Sequence, residues 1–262
     1  MYSSWGMFLY SLDDDELRAE CFSAFNGWAG EYCAHEPNRL KGLGLCDVTD
    51  PVTAVQDLQQ IKDVGLSGAL ITGSPEDGRP YFLDDYDTIW ACATELGLPL
   101  SMHILTESKG KGGIVHARVQ DNGKPSPAAL VHYAANVLTE LQTSVGHMIA
   151  SGVFDRHPTL RLELAETDVA WQPHFIYRMD HFLDTGHGRY LTMERRTADY
   201  FASNIFSTAQ FERSGFSGPS SSSAPITSCG PPTIRTTTAC THAIATSSPA
   251  SSRTASATAT RR

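Results

Sequence analysis

The stretch LKGLGLCDVTDPVTAVQDLQQIKDVGLSGALIT, residues 40–72, contains one strand-helix-strand unit. Residues 40–48 predict a strand, and the Asp50-Pro51 pair that follows is typical of a helix N-cap with proline in the first turn. Apolar residues then recur at helical spacing until Gly65, which predicts the end of the helix. Residues 69–72 predict a short buried strand. The order of these elements favours two parallel strands joined by a helix.

The same alternation continues along the chain. The other predicted elements are helices at residues 13–28, 84–96, 127–151, 171–183 and 197–202, and strands at residues 98–105, 160–164 and 204–209. We expect the helix at 127–151 to be interrupted near residues 144–146. Short apolar strands alternating with helices predict an α/β protein with a parallel sheet, either open or closed into a barrel. Five strands are visible in the sequence, whereas a closed barrel of this type has eight.

The first predicted helix has two features. Three acidic residues, Asp13 to Asp15, are placed to cap it and to form a solvated face. Its apolar residues recur at helical spacing, and they are Leu17, Cys21, Phe25 and Trp28.

The charge of the chain excludes several classes of partner. All 29 acidic residues precede Ser214, and no basic stripe accompanies them, which argues against nucleic acid or an anionic membrane as a partner. No apolar run approaches the roughly 20 residues that span a bilayer. Residues 1–12 lack the features of a secretion signal. The six cysteines have no paired spacing, so we expect reduced thiols and a cytoplasmic protein.

The last 49 residues, Ser214 to Arg262, differ from the rest. They contain no Asp, Glu, Lys, Leu or Val, and Ser and Thr supply 22 of them. Such a composition predicts a disordered tail, and we expect the domain to occupy residues 1–213. The tail is either a Ser/Thr stalk or a segment translated in the wrong frame. A shifted frame is compatible with the codons of a segment that includes Trp-Ala-Thr-Asp-Tyr-Pro-His.

Two residues at predicted strand ends are candidates for chemistry, because the active sites of parallel α/β proteins lie at the carboxyl ends of the strands. His103 ends the strand at 98–105, and Glu166 follows the strand at 160–164. A carboxylate in that place could serve as acid or base or could simply cap the turn. Asp168 is a weaker candidate of the same kind. His157 precedes its strand, so we expect a surface or packing role for it.

The block from Gly152 to Asp180, with Gly-Val-Phe-Asp-Arg-His-Pro at its start and Trp-Gln-Pro-His-Phe near its end, resembles amidohydrolase-related proteins of the aminocarboxymuconate-semialdehyde decarboxylase type. The segment Leu98-Pro-Leu-Ser-Met-His103 fits the same pattern. The resemblance covers roughly residues 7–213. It implies a (β/α)8 TIM barrel of the metal-dependent hydrolase type that holds a divalent ion, often zinc. By this resemblance, His103 matches a metal ligand on a middle strand.

The chain departs from the family pattern at three points. The decarboxylases have a catalytic His where this chain has Glu166, which makes Glu166 a candidate by position only. No His-x-His lies on a strand before residue 13, so we expect that the first strand is missing. The family also has a metal-binding Asp in a Trp-x-x-Asp-Tyr-Pro-His motif, which is the motif compatible with the shifted frame. The barrel is therefore expected to be incomplete.

These observations predict a metal-dependent hydrolase or decarboxylase acting on a small carboxylated or cyclic substrate. We expect the polypeptide as written to be inactive, because it retains one predicted metal ligand, and three protein ligands are usual in catalytic zinc sites. The alternative is a non-catalytic fragment or binding scaffold with a disordered tail. A homo-oligomer is possible on either view.

Overall fold

Five strands form one parallel sheet in the computed structural model, which describes residues 1–3, 6–108, 127, 131 and 138–208. The strands are β1 (Leu43–Leu45), β2 (Gly68–Ser74), β3 (Leu100–Glu107), β4 (Leu162–Ala165) and β5 (Ile205–Ser207). They lie in sequence order, and each strand pairs in parallel with the next. This confirms the predicted α/β architecture and all five predicted strands.

Helices connect the strands. They are α1 (Asp15–Ala34), α2 (Pro51–Asp63), α3 (Asp87–Leu96), α4 (Thr139–Ala150), α5 (Val153–Arg156), α6 (Gln172–Leu183) and α7 (Thr197–Ser203), with short 3-10 helices at Gly6–Ser11, Asp84–Tyr86 and Gly188–Tyr190. Asp50 caps α2 as predicted, since its carboxylate accepts a hydrogen bond from the Thr53 amide at 2.8 Å. None of the described helices is long and apolar enough to cross a membrane. Residues 214–262, the predicted tail, lie outside the described residues.

The side chains of each strand alternate between two faces of the sheet. One face packs on the helices and forms the main core, to which β3 contributes Leu100 and Met102 and β4 contributes Leu162 and Leu164. The residues between them point to the opposite face, which we call the inner face. On this face a smaller cluster joins Leu45 and Leu70 to Tyr10 and Phe22.

The sheet is curved, with the inner face concave. Met1 lies beside the free edge of β1, where its amino group donates to Lys41 O at 2.6 Å and its carbonyl accepts from Leu43 N at 3.2 Å. The neighbouring Tyr2 hydroxyl is nevertheless 2.9 Å from Ser101 Oγ on β3. Three strand spacings separate these positions, about 14 Å in a flat sheet, which is farther than the two side chains reach together. A curled sheet brings them together, as in a barrel wall.

Helix α1 forms where predicted, but its buried face is not the apolar stripe of the sequence. Leu17 and Trp28 are 50% and 56% exposed, whereas Arg18 and Asn26 are buried. The Asn26 side chain makes two hydrogen bonds with the Leu45 backbone, at 2.9 and 2.7 Å, and so satisfies the open edge of β1. Specific polar partners therefore decide which face of α1 turns inward.

The predicted interruption near residues 144–146 is wrong, because α4 is continuous from Thr139 to Ala150. Ser144 is buried and donates a hydrogen bond to Gly73 O of β2 at 2.8 Å, and Val145 and Ile149 lie in the main core. Packing against β2 therefore overrides the low helix propensity of serine and glycine. Most of residues 127–138 lie outside the described part of the chain.

A buried cluster of charges lies where β1 leads into α2. Arg18 Nε donates to Asp47 Oδ2 at 2.7 Å, and the Asp47 amide donates to Asp57 Oδ2 at 2.8 Å. Burial raises the pKa of Asp57 to about 7, with the nearby Asp47 charge adding to the rise and the amide hydrogen bond opposing it. Above neutral pH Asp57 is thus a buried carboxylate that forms no salt bridge with the cations in the described part of the chain.

We expect Asp57→Asn to stabilise the fold at alkaline pH. The folded-state pKa of Asp57 lies above its ordinary value of 3.8, so the wild type loses stability as pH rises from about 4 through 7. The variant avoids this loss of stability, which is on the order of 4 kcal/mol at most, and retains an acceptor for the Asp47 amide. Urea unfolding of both proteins at pH 5 and pH 8 measures the effect. A stability difference that does not grow between these pH values would contradict the assignment.

Candidate active site at the carboxyl edge of the sheet

His103 and Glu166 meet at the carboxyl edge of β3 and β4. His103 Nε2 lies 3.5 Å from Glu166 Oε2, with the His103 side chain 5% exposed and that of Glu166 38% exposed. His103 pairs in register with Ala165, the residue before Glu166. The structure therefore brings together the two residues that the sequence singled out.

The His103 ring is held in one orientation. Its Nδ1 lies 2.6 Å from Ile104 O, and because a carbonyl only accepts, Nδ1 carries the proton. In the neutral ring this leaves the lone pair of Nε2 directed at the Glu166 side of the site. The Nε2 lone pair can bind a metal ion or accept a proton.

Glu166 is presented by a strained loop. Its φ is 59°, and Asp168 two residues later has a φ of 53°. Thr208, which follows β5, holds this loop by accepting a hydrogen bond from the Glu166 amide at 2.7 Å through its hydroxyl and one from the Asp168 amide at 3.2 Å through its carbonyl. Left-handed backbone in residues with a side chain is costly and is commonly found at functional sites.

His157 and Trp171 make structural contacts. His157 Nε2 lies 3.0 Å from Asp87 Oδ1, so it ties two helical segments together, as expected for a packing residue. The Trp171 indole donates to Thr167 O at 2.9 Å and anchors the loop that carries Glu166.

Three further polar residues on the inner face were missed by the sequence analysis: Tyr2, Ser101 and Glu163. The Tyr2 ring stands edge-on to His103 with centroids 5.6 Å apart. Burial, followed by the charge of Glu163, raises the pKa of Tyr2 well above its usual value. Of these three residues, only Glu163 could have been identified from the sequence, because it is an acidic residue between two leucines of a buried strand.

The described residues do not by themselves make a catalytic metal site. His103 and Glu166 are two donors, and no group of three or more His, Cys, Asp or Glu side chains in the described ranges is arranged to hold an ion. Catalytic zinc usually has three protein ligands. The pair alone supports proton transfer between a carboxyl and an imidazole, and so acid-base chemistry on a molecule bound at the sheet edge.

We expect Glu166→Gly to leave the fold as stable as the wild type or to stabilise it by up to about 1 kcal/mol, since glycine removes the cost of the positive φ. The comparison is Leu105→Gly, which has a similar φ of 69° but loses a side chain packed on the main core. Thermal unfolding of the three proteins tests this. A marked loss of stability in Glu166→Gly would show that Glu166 is retained for structural reasons.

The sequence of this chain is similar to those of known proteins. The amidohydrolase family profile matches residues 9–209. The chain is 28% identical over 195 residues to a gamma-resorcylate decarboxylase of Rhodococcus jostii strain RHA1, covering 70% of this chain and 56% of the relative. It thus spans little more than half the length of that relative.

Two solved structures share the fold. A 2,6-dihydroxybenzoate decarboxylase from Rhizobium superposes with a TM-score of 0.57 at 22% identity, covering 78% of this chain and 62% of the other. A 5-carboxyvanillate decarboxylase from Novosphingobium aromaticivorans, solved with manganese and 4-hydroxy-3-methoxy-5-nitrobenzoic acid, gives 0.63 at 19% identity, covering 79% and 57%. The curved parallel sheet is therefore part of an amidohydrolase TIM-barrel fold.

Proposed function

The chain belongs to the amidohydrolase family, and from that premise we propose that its function is that of a metal-dependent carboxy-lyase acting on a small aromatic acid. The observation that carries the proposal is the 3.5 Å approach of His103 Nε2 to Glu166 Oε2 at the carboxyl edge of the sheet. The names of the related decarboxylases support the reaction type.

In the proposed reaction, the bond between the aromatic carbon and the carboxylate breaks and its electron pair stays on the ring carbon. Carbon dioxide leaves, and Glu166 in its protonated form delivers a proton to that carbon. The Glu166 carboxylate then regains a proton from water.

The divalent ion that the family implies is also a proposal. His103 would be one ligand of it, and manganese in a related structure and zinc from the sequence resemblance are the two candidates. Because the described residues supply only two donors, no step of the reaction is assigned here to an ion.

We further propose that the chain as given is inactive and that residues 214–262 are read out of frame. The change of composition at Ser214 supports this, as does the compatibility of the shifted frame with Trp-Ala-Thr-Asp-Tyr-Pro-His. Sequencing the gene across the codons for Phe211 to Gly218 decides the matter. An unbroken reading frame would favour the alternative of a scaffold with a Ser/Thr-rich tail.

We also propose a cytoplasmic protein with reduced thiols and a small-molecule substrate, and the acidic composition supports the absence of nucleic-acid and membrane partners. A homo-oligomer is compatible with either the enzyme or the scaffold. Amide or lactone hydrolysis is the alternative reaction on this site.

The proposed function is tested by metal content and carbon dioxide release. After dialysis against Mn²⁺ or Zn²⁺, we expect the chain as given to retain well under one ion and to release no carbon dioxide from 2,6-dihydroxybenzoate. A chain with both the frame corrected and the missing first strand restored should bind about one ion and release carbon dioxide, and His103→Ala should abolish both.

His157→Ala is the matched control, because it removes an imidazole that contacts Asp87 and should leave both properties unchanged. One tightly bound ion in the chain as given would overturn the proposed inactivity. A corrected chain that hydrolyses amides or lactones without releasing carbon dioxide would overturn the proposed reaction.

A further inference from the structure

The backbone of β3 leaves regular pairing directly after His103. Thr72 of β2 pairs with His103, and the next pair joins Ser74 to Glu107, so β3 advances four residues where β2 advances two. We call residues 103–107 the β3 bulge. It lies at the carboxyl edge of the sheet, beside the candidate site.

The β3 bulge is strained. Leu105, in its middle, has a left-handed backbone with a φ of 69°. Such a backbone is costly in leucine and persists only where neighbouring contacts hold it. Bulges beside active sites commonly redirect a side chain. The side chain that this bulge can redirect is that of His103, where it begins.

Thr106 ties the bulge to β2 through its hydroxyl. The residue is 1% exposed. Its Oγ1 donates to His103 O at 2.6 Å and accepts from the Gly73 amide at 2.7 Å, so the direction of its single proton is fixed. The carbonyl of Thr106 accepts in turn from Thr72 Oγ1 at 2.6 Å. The side chain and the carbonyl of Thr106 therefore both hold the bulge against β2.

The β2 side of these contacts is held as well. Gly73 O accepts a hydrogen bond from Ser144 of α4 at 2.8 Å, and the Tyr81 hydroxyl donates to Thr72 O at 2.6 Å. A Cβ atom on Gly73 would lie 3.0 Å from His103 O and would have to push it aside. Glycine thus lets β2 approach the bulge closely enough for one hydroxyl to bridge the two strands.

The bulge turns the Ile104 carbonyl toward the His103 ring. In a regular strand a carbonyl points within the sheet toward a neighbouring strand. Ile104 O instead lies 2.6 Å from His103 Nδ1. Its direction is set by the backbone on either side, which is the His103 carbonyl held by Thr106 and the left-handed Leu105. The position of the ring proton of His103 therefore depends on the bulge.

Glu166 acts on the same ring in the opposite sense. An ionised carboxylate beside Nε2 favours a proton on that nitrogen, because a donor would then be paired with a charged acceptor. Glu166 Oε2 lies 3.5 Å from Nε2, which is longer than a good hydrogen bond, whereas Ile104 O is 2.6 Å from Nδ1. The Ile104 carbonyl has to outweigh Glu166 for Nε2 to keep its lone pair.

We propose that Thr106 is a positioning residue for His103. Its hydroxyl holds the β3 bulge, the bulge presents the Ile104 carbonyl to Nδ1, and the lone pair of Nε2 stays directed at Glu166. Histidines that bind metal ions commonly donate their other ring proton to a carbonyl in this way. The inference rests on the proposed function only in taking that lone pair as the donor to the ion.

The tautomer of His103 in hydroxyl variants tests the proposal. Long-range ¹H–¹⁵N spectra of the full chain are recorded at pH 8 in the presence of EDTA. Thr106→Val keeps the shape of the side chain and removes the hydroxyl. It should shift the tautomer ratio roughly tenfold or more toward the Nε2-protonated ring, as for the loss of a buried hydrogen bond. Thr106→Ser retains the hydroxyl and should give the wild-type His103 signals.

Thr94→Val is the matched control. It removes a hydroxyl that donates to Trp90 O at 2.7 Å within α3, so it costs a similar hydrogen bond away from the site and should leave the His103 signals unchanged. If circular dichroism shows that Thr106→Val does not fold, Gly73→Ala takes its place. That variant retains every hydroxyl but presses a methyl group on His103 O, and it should shift the tautomer in the same direction.

Two results would overturn the inference. Wild-type His103 signals in Thr106→Val, or in Gly73→Ala where it stands in, would show that the bulge serves stability only, even if the melting temperature falls. An equal shift in Thr106→Ser would show that the hydroxyl does not orient the ring. Neither metal nor turnover enters the measurement. A chain that positions His103 as proposed and releases no carbon dioxide therefore fails the proposed function alone, and the two failures are distinguishable.

Discussion

The strict alternation of side chains along parallel strands is the constraint on which the site depends. Leucines and methionine on one side of β3 and β4 pack on the helices, and this fixes the polar residues between them on the inner face. A slip of one residue in β4 would exchange Glu163 for Leu162 and bury the acid in the main core. The packing of the helices on the main core therefore specifies which side chains lie on the inner face.

Curvature of the sheet adds the second requirement. Tyr2, which lies next to the free edge of β1, contacts Ser101 and His103 on β3 only because the sheet curls. At this edge the Leu43 amide donates to Met1 O, and both the amide and the carbonyl of Leu45 bond to the Asn26 side chain. The position of the site thus results from strand register and sheet curvature together.

The local elements were predictable from the sequence because their signals are local. Asp50-Pro51 and Gly65 bound α2 as predicted, and all five strands formed near their predicted positions. The buried face of α1 was not predictable from periodicity, because Arg18 and Asn26 turn inward to meet Asp47 and Leu45, which are distant in sequence. His103 and Glu166 were found because strand ends can be read from the sequence. Tyr2 was missed, since its contact depends on curvature.

His103 presents an unprotonated Nε2 to Glu166 at the carboxyl edge of the sheet. Long-range ¹H–¹⁵N correlation spectra of the histidine rings at pH 8, with His103 assigned by comparison with His103→Gln, test this most directly. The account predicts that His103 is in the Nδ1-protonated form, because Ile104 O accepts that proton. An Nε2-protonated ring would contradict it, since a donor would then face Glu166 and no lone pair would remain there for an ion.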